Sequence, residues 1–505
     1  MTEASTGAQP IALLYIGVYV LLMFGAAYLA TRWSRNAADF LIGGRSFNWL
    51  LQGMGLSSLI IAGTTVSAAP ALGYDLGLVG HWWTTGWVLA VLFGAFAVAP
   101  LFRRSGAYTF PEWIGARYGE RTRVVAAMAF GIALIFSPLA NILGGGLVLS
   151  AFTGWEPWVT ITGMGLLVAI YLFFGGLYAS LVTGVVQWLV AIFAFCIILP
   201  WFLFTEYGGF EALAGLPDSH FRMTTSEDFP LLGNGIFSVF GMFWLMGCIY
   251  FGGATWNRSA SCRTVGEARK GWIFAAAVAV PIAFILPLVG MFVRASGVEL
   301  DDAGGAFGLV IGDMHPAMGS LFVLGVIAAT MSTAELGIVA GSSILLRDVY
   351  QRVFRPEASL EQLLLPSRVF TLIYALAGGV VGSNLFYVLN PEYASLYGLA
   401  LFSGFAAAGL PPLFGSLLWR GAPKEAAFTG LLGGTIATFA SVLVPAIEIH
   451  AMYIGFLASL ALYVGVGLLT RITGPWWQER RLSVADVGGA GPHASTHTQQ
   501  GVPSS

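Results

Sequence analysis

The segment Ala329-Thr330-Met331-Ser332-Thr333-Ala334-Glu335 puts two threonine hydroxyls, a serine hydroxyl and a carboxyl into an otherwise apolar run. Ala329, Ser332 and Thr333 are spaced i, i+3 and i+4, which on a helix is one face. One backbone carbonyl and two hydroxyls on one face form half a cage for a hard cation such as sodium, since hard cations take oxygen ligands. The same hydroxyls have a local alternative, bonding back to carbonyls of their own helix. Glu335 lies three residues past Ser332. A carboxylate inside an apolar span is costly unless paired or protonated, which marks it as a coupling carboxylate: it balances a cation or carries a proton. A structural hydrogen bond to a neighbouring helix is the plainer alternative.

A second cluster runs from Ser57 and Ser58 through Ile60, Ile61, Ala62, Gly63, Thr64, Thr65 and Ser67 to Pro70, again within an apolar run. Glycine, proline and hydroxyls at mid-span are pointers to a discontinuous helix, whose unwound backbone offers carbonyls to a cation and helix ends to a solute. A third, less sharp cluster has Gly241, Gly247, Gly252 and Gly253 around Trp244, Cys248 and Tyr250. Close helix packing is the alternative use of such glycines.

The elements that must position these groups follow from composition. Of 505 residues, 57% are apolar and only 10% charged, against roughly 25% charged in an ordinary soluble domain. The chain is an integral membrane protein of the all-α class, because its runs are long enough for helices of about 20 residues and lack the two-residue alternation of a barrel. About thirteen transmembrane spans are expected, near 11–31, 47–74, 79–102, 123–150, 157–175, 180–204, 232–254, 271–294, 317–346, 366–388, 392–418, 425–446 and 450–470. Basic residues collect in cytoplasmic loops. Of the 23 here, only Arg222 and Arg294 fall on the side opposite the rest. That alternation puts the N-terminus outside and the C-terminus inside, in the plasma (cytoplasmic) membrane.

The expected organisation is an extra N-terminal helix and first cytoplasmic loop (1–46), a five-helix block (47–204), an extracellular loop (205–231), a second five-helix block (232–419), two C-terminal helices (420–474) and a disordered cytoplasmic tail (475–505). An odd number of helices per block makes the second block inverted relative to the first, the inverted-repeat arrangement of the leucine-transporter type. A net charge of -2 offers no basic surface for nucleic acid, and Cys196, Cys248 and Cys262 form no disulfide or zinc pattern. No His-Glu-x-x-His, Gly-x-Ser-Gly or paired-Asp motif supports a membrane enzyme. The tail is too short to be a signalling domain, which weighs against a sensor.

Several motifs together resemble the sodium:solute symporter family. They are Asp39-Phe40-Leu41-Ile42-Gly43-Gly44-Arg45-Ser46; Thr109-Phe110-Pro111-Glu112-Trp113 with Arg117-Tyr118; Gly175-Gly176-Leu177-Tyr178-Ala179 with Gln187; Arg258 and Glu267-Ala268-Arg269-Lys270-Gly271; and Met331-Ser332-Thr333, Ser342-Ser343 and Asp348-Val349-Tyr350. The resemblance implies a sodium ion held by the carbonyls of Ser58 and Ile61 and by Ala329, Ser332 and Thr333. Where the family usually has Thr-Asp, this chain has Thr183-Gly184. The resemblance therefore implies one sodium, because the anchor of a second site is missing. Ile60 stands where many relatives carry a polar residue. A solute pocket between spans 2, 3, 4, 7 and 11 would draw on Thr64, Thr65, Thr84, Asn141, Trp244, Tyr250 and Tyr397. No basic side chain is expected there.

The resulting expectation is a sodium-coupled secondary active symporter that imports a small polar organic solute by alternating access. A sugar, an amino acid, a monocarboxylate and a nucleobase all stay open. The alternatives are a proton-coupled transporter on the same fold using Glu335, and a transporter-like sensor.

Overall fold

The computed structural model describes residues 5–59, 62–223, 228–229, 233–234, 241, 243–244, 247–251, 255–300, 303–389, 394–419, 421–443 and 451–473. Of the expected tail only positions outside these ranges are concerned, and most of the expected seventh span, with Ile60 and Ile61, lies outside them too. Among the described residues the only strands form one small hairpin, Asp228–Phe229 in the 205–231 connection against Gly233–Asn234, which lies at the start of the expected seventh span.

Among the described residues, nine helical stretches are long and apolar enough to cross a bilayer. This differs from the thirteen runs of the sequence partly because neighbouring spans join. The fifth and sixth expected spans form one helical stretch, Pro157–Glu206, whose only non-helical residue is Gly176 in the Gly175-Gly176 motif (φ 53°, ψ -133°). A Cβ at Gly176 would lie 2.6 Å from the Phe40 carbonyl oxygen, so this bend needs glycine for both conformation and space.

The second span is broken as expected. One helix, Trp49–Ser57, starts at Asn48, whose side chain accepts from Leu51 N–H. Another, Gly63–Leu76, begins at Ala62 with no side-chain cap. The second half is seated tightly on the helix Val265–Ala295. A Cβ on Gly290 would fall 1.9 Å from the Pro70 carbonyl oxygen, and one on Gly73 would fall 2.0 Å from the Pro287 carbonyl oxygen. Glycine on each side thus lets two backbones touch, the usual means of helix association in lipid.

The ninth span, Pro316–Ile344, is the axis of the bundle. In its most apolar window 94% of residues are buried, against 28% in the first span, Pro10–Thr31, which lies at the periphery of the bundle. At its C-terminal end the helix widens into a π-helical turn, Leu345–Gln351. Asp348 in that turn is buried against Arg123 at 2.6 Å and accepts from the Thr109 hydroxyl at 2.6 Å. Thr109 in turn caps the helix Phe110–Tyr118: its Oγ1 accepts from Glu112 N–H, while Glu112 reaches back to accept from the N–H of Tyr108, the residue before the cap. The Thr-Phe-Pro-Glu motif therefore starts a helix and ties it to the ninth span.

Candidate cation and solute site

Helix pitch brings Ala329, Ser332 and Thr333 together, and the break in the second span is packed against that face. Ser332 Oγ donates to the Ala329 carbonyl at 2.7 Å and lies 3.3 Å from the Ser58 carbonyl oxygen across the gap. Thr333 Oγ1 lies 3.2 Å from the same Ala329 oxygen. Four of the five oxygens named from the sequence thus converge from two helices. Ile61, the fifth, is outside the described residues. Ser58, Ala329 and Ser332 are almost fully buried. The local alternative is also visible, since both hydroxyls bond back to their own helix. The contact with Ser58 is what back-bonding does not supply. A set of neutral oxygens is the kind of donor group that can replace water around a dehydrated monovalent cation.

Glu335 is fully buried one turn further on. It accepts from the Tyr171 hydroxyl, from Gln187 Nε2 at 2.8 Å, and lies 3.5 Å from Thr183 Oγ1. Its Oε2 has no protein partner. A base lies near it that the sequence did not place there. Arg258, counted by its sequence neighbours as an inner-loop residue, is 1% exposed. Its Nη2 donates to Ser180 Oγ at 3.1 Å, placing its charge beside the Glu335 carboxylate across that serine. The guanidinium occupies space left by Gly55, where a Cβ would lie 2.1 Å from Arg258 Nη1. Sequence reasoning missed this inward turn because the short helix Trp256–Ala260 re-enters the bundle, and local composition does not reveal it.

A cavity opens beside the cation face, with about 590 Å3 of empty space, its mouth included. Thr65, Thr84, Asn141 and Tyr250, four of the solute candidates, line it, and so does Thr333. Trp244 does not: it packs edge-on against Phe456, ring centres 4.4 Å apart. The side chains of Thr64 and Tyr397 are outside the described residues. Much of the wall was not anticipated: Trp83, Trp87, Phe136, Ser137 and Phe402. The Trp83-Thr84 and Trp87 spacing put three of the lining residues on one helix face, a signal that the sequence did carry. Among the described residues, no acidic or basic side chain lines the cavity. Inside it, Asn141 Nδ2 donates to the Ser137 carbonyl at 2.9 Å, while Asn141 Oδ1 and Thr84 Oγ1 have no protein partner.

With this geometry in hand, comparison with known proteins is decisive at the family level. The model of the sodium:solute symporter family matches residues 40–434. The chain belongs to the sodium:solute symporter family. It is 26% identical to the high-affinity proline transporter PutP of Bacillus subtilis (strain 168), over 89% of this chain and 96% of that one. It is 25% identical to a sodium/proline symporter of Staphylococcus aureus, over 94% and 95%. Among solved structures, a Na+-coupled sialic acid symporter in a substrate-bound outward-open state superposes with a TM-score of 0.75 at 19% identity, covering 91% of this chain and 97% of that one. Mhp1, a nucleobase-cation-symport-1 family transporter, gives 0.53 at 16% identity, covering 90% and 99%. These likenesses establish the fold, a membrane transporter of the leucine-transporter type and not an enzyme.

The family motifs now have physical roles. Gly43, Gly44 and Arg45 of this symporter all take positive φ (57°, 56° and 57°), forming the tight turn after the first loop helix. Asn257 Nδ2 donates both to the Leu41 carbonyl and to Ser343 Oγ, each at 2.9 Å, joining that loop to the ninth span.

Proposed function

We propose that this symporter couples inward movement of one sodium ion to uptake of a small polar organic solute. The carrying observation is the meeting of Ser58, Ala329, Ser332 and Thr333 across the broken helix, with Thr333 shared between that oxygen cluster and the cavity wall. Sodium at the cluster links the broken second span to the ninth. A solute in the cavity then touches the same threonine. Each ligand stabilises the arrangement that the other needs, which is a reciprocal coupling. Alternating access follows when the doubly loaded site opens inward. Gly184 offers no side chain and faces open space, which supports a single sodium. The distribution of basic residues supports an outside N-terminus and a plasma-membrane location.

The assay is uptake into proteoliposomes under an imposed sodium gradient. Two relatives carry names that refer to proline, so proline is the first solute to load. Sodium-driven accumulation, abolished when the gradient is collapsed, is the expected result. Equal accumulation under a proton gradient with no sodium present would refute the coupling and favour Glu335 as a proton carrier.

A further inference from the structure

The buried cluster of Glu335 and Arg258 is used by neither the sodium oxygens nor the solute cavity, and what it does bears on the ion count of the symporter reading, on which this inference rests. Around the Glu335 carboxylate stand Tyr171, Thr183, Gln187 and Ser180. Thr183 Oγ1 gives its one proton to the Ala179 carbonyl at 2.7 Å, so at 3.5 Å it turns a lone pair toward Glu335 Oε1. Glu335 Oε2 and Gln187 Oε1 are buried without a protein partner. The cluster is therefore rich in oxygens that have no proton to share, with a full negative charge among them. That is the donor set a hard cation takes.

A cation is already present. Arg258 stays charged in a protein, and its Nη2 donates to Ser180 Oγ at 3.1 Å, between it and Glu335. Its Nη1 and Nε have no protein partner. The guanidinium is thus held less by hydrogen bonds of its own than by the charge it faces, since each of the two charges acts on the other. A carboxylate inside a membrane bundle demands such a counter-charge.

The position of Arg258 ties this charge to the sodium cluster. Its Nη1 lies where Gly55 leaves space, and Ser58 Oγ donates to the Gly55 carbonyl at 3.1 Å. Ser58 is the residue whose carbonyl faces Ser332, and Glu335 is one turn past Ser332. The guanidinium therefore stands about one turn from the sodium oxygens on both helices that supply them.

We propose that Arg258 is a tethered cation: its guanidinium takes the place of a second sodium ion at Glu335, and the cluster is a latent sodium site that becomes available when the guanidinium is removed. The orphan oxygens are closed to solvent in the intact protein, so the room for an ion comes from the deleted side chain. With Arg258 present, the Glu335 cluster is neutral and the protein binds one sodium, at Ser58 and Ser332. Without it, an uncompensated carboxylate and its neighbouring oxygens are left to hold another.

The test counts radioactive sodium bound per molecule of purified full-length protein in detergent, with no solute present, and follows thermal unfolding in sodium or in choline. One sodium is expected in the wild type and in Arg258→Lys, two in Arg258→Met, and one again in Arg258→Met/Glu335→Gln. Arg258→Met should unfold at a lower temperature in choline, and sodium should raise its midpoint more than that of the wild type. Two sodium ions in the wild type, or an unchanged count in a folded Arg258→Met, would overturn the proposal. So would an Arg258→Met that stays unfolded at every sodium concentration, because a site able to take the ion would be restored by it. Restoration of that variant by acid and not by sodium would make the replacement a proton, and would also overturn it. A wild type that binds no sodium would overturn the symporter reading instead, while one extra ion in Arg258→Met would still support the tethered cation.

Discussion

Replacing Ser332 by alanine tests the cation cluster directly. The substitution removes one oxygen of the four that meet there and leaves the carbonyls of Ser58 and Ala329 in place. Alanine is the best helix former, so the ninth helix itself gains slightly. The lost hydroxyl made two contacts, to Ala329 at 2.7 Å and to Ser58 at 3.3 Å. A contact between a neutral group and a charge is worth roughly 1.5–3 kcal/mol. At 1.4 kcal/mol per factor of ten, sodium affinity should fall roughly ten- to a hundredfold. Since coupling is reciprocal, solute affinity at fixed subsaturating sodium falls with it, and the loss is recovered at high sodium. Sodium titration of binding or initial uptake rate measures this. Ser320→Ala is the control. That hydroxyl also bonds back within the same helix, to the Pro316 carbonyl at 2.6 Å, and lies near the helix start, away from the cluster. An unchanged sodium half-saturation in Ser332→Ala, with transport intact, would show that the hydroxyl only bonds its own helix and would refute the cluster as a sodium site.

Three further predictions concern the bundle around this site. Glu335→Gln and Arg258→Met should each lower folded yield and transport, since each leaves the other buried charge without its counterpart, while the double variant recovers part of the loss; a thermal-unfolding cycle in detergent should give a coupling of roughly 0.5–3 kcal/mol, and strict additivity would mean the two charges do not act on each other. Asp348→Ala breaks a buried ion pair with Arg123 and should destabilise by about 3–5 kcal/mol, whereas Asp348→Asn, which can still accept from Thr109, should cost less; equal thermal midpoints for the two would contradict this. Gly176→Ala forces a side chain into a positive-φ position next to the Phe40 carbonyl, and the strain of about 1–3 kcal/mol should appear as a lower midpoint in the same assay.

The chain itself announced its class, its broken second span and the oxygen face of the ninth helix. These are local properties. Apolar runs of bilayer length, a glycine and hydroxyl cluster at mid-span, and residues at i, i+3 and i+4 retain their meaning whatever the neighbouring helices do. The motifs around Gly43, Thr109 and Gly176 were legible only as a resemblance; that they set a turn, a cap and a bend came from the structure. Tertiary structure alone decided which faces met. It placed Ser58 against Ser332, although 274 positions separate them. It brought Tyr171 and Gln187 to Glu335, and turned Arg258 inward through the space left by Gly55. It also closed the cavity with Trp83, Phe136 and Phe402, which come from three separate helices. In a membrane, apolar surface does not choose among partners, because lipid is as apolar as another helix. Glycine contacts and buried hydrogen bonds make that choice, and they arise only between segments far apart in sequence.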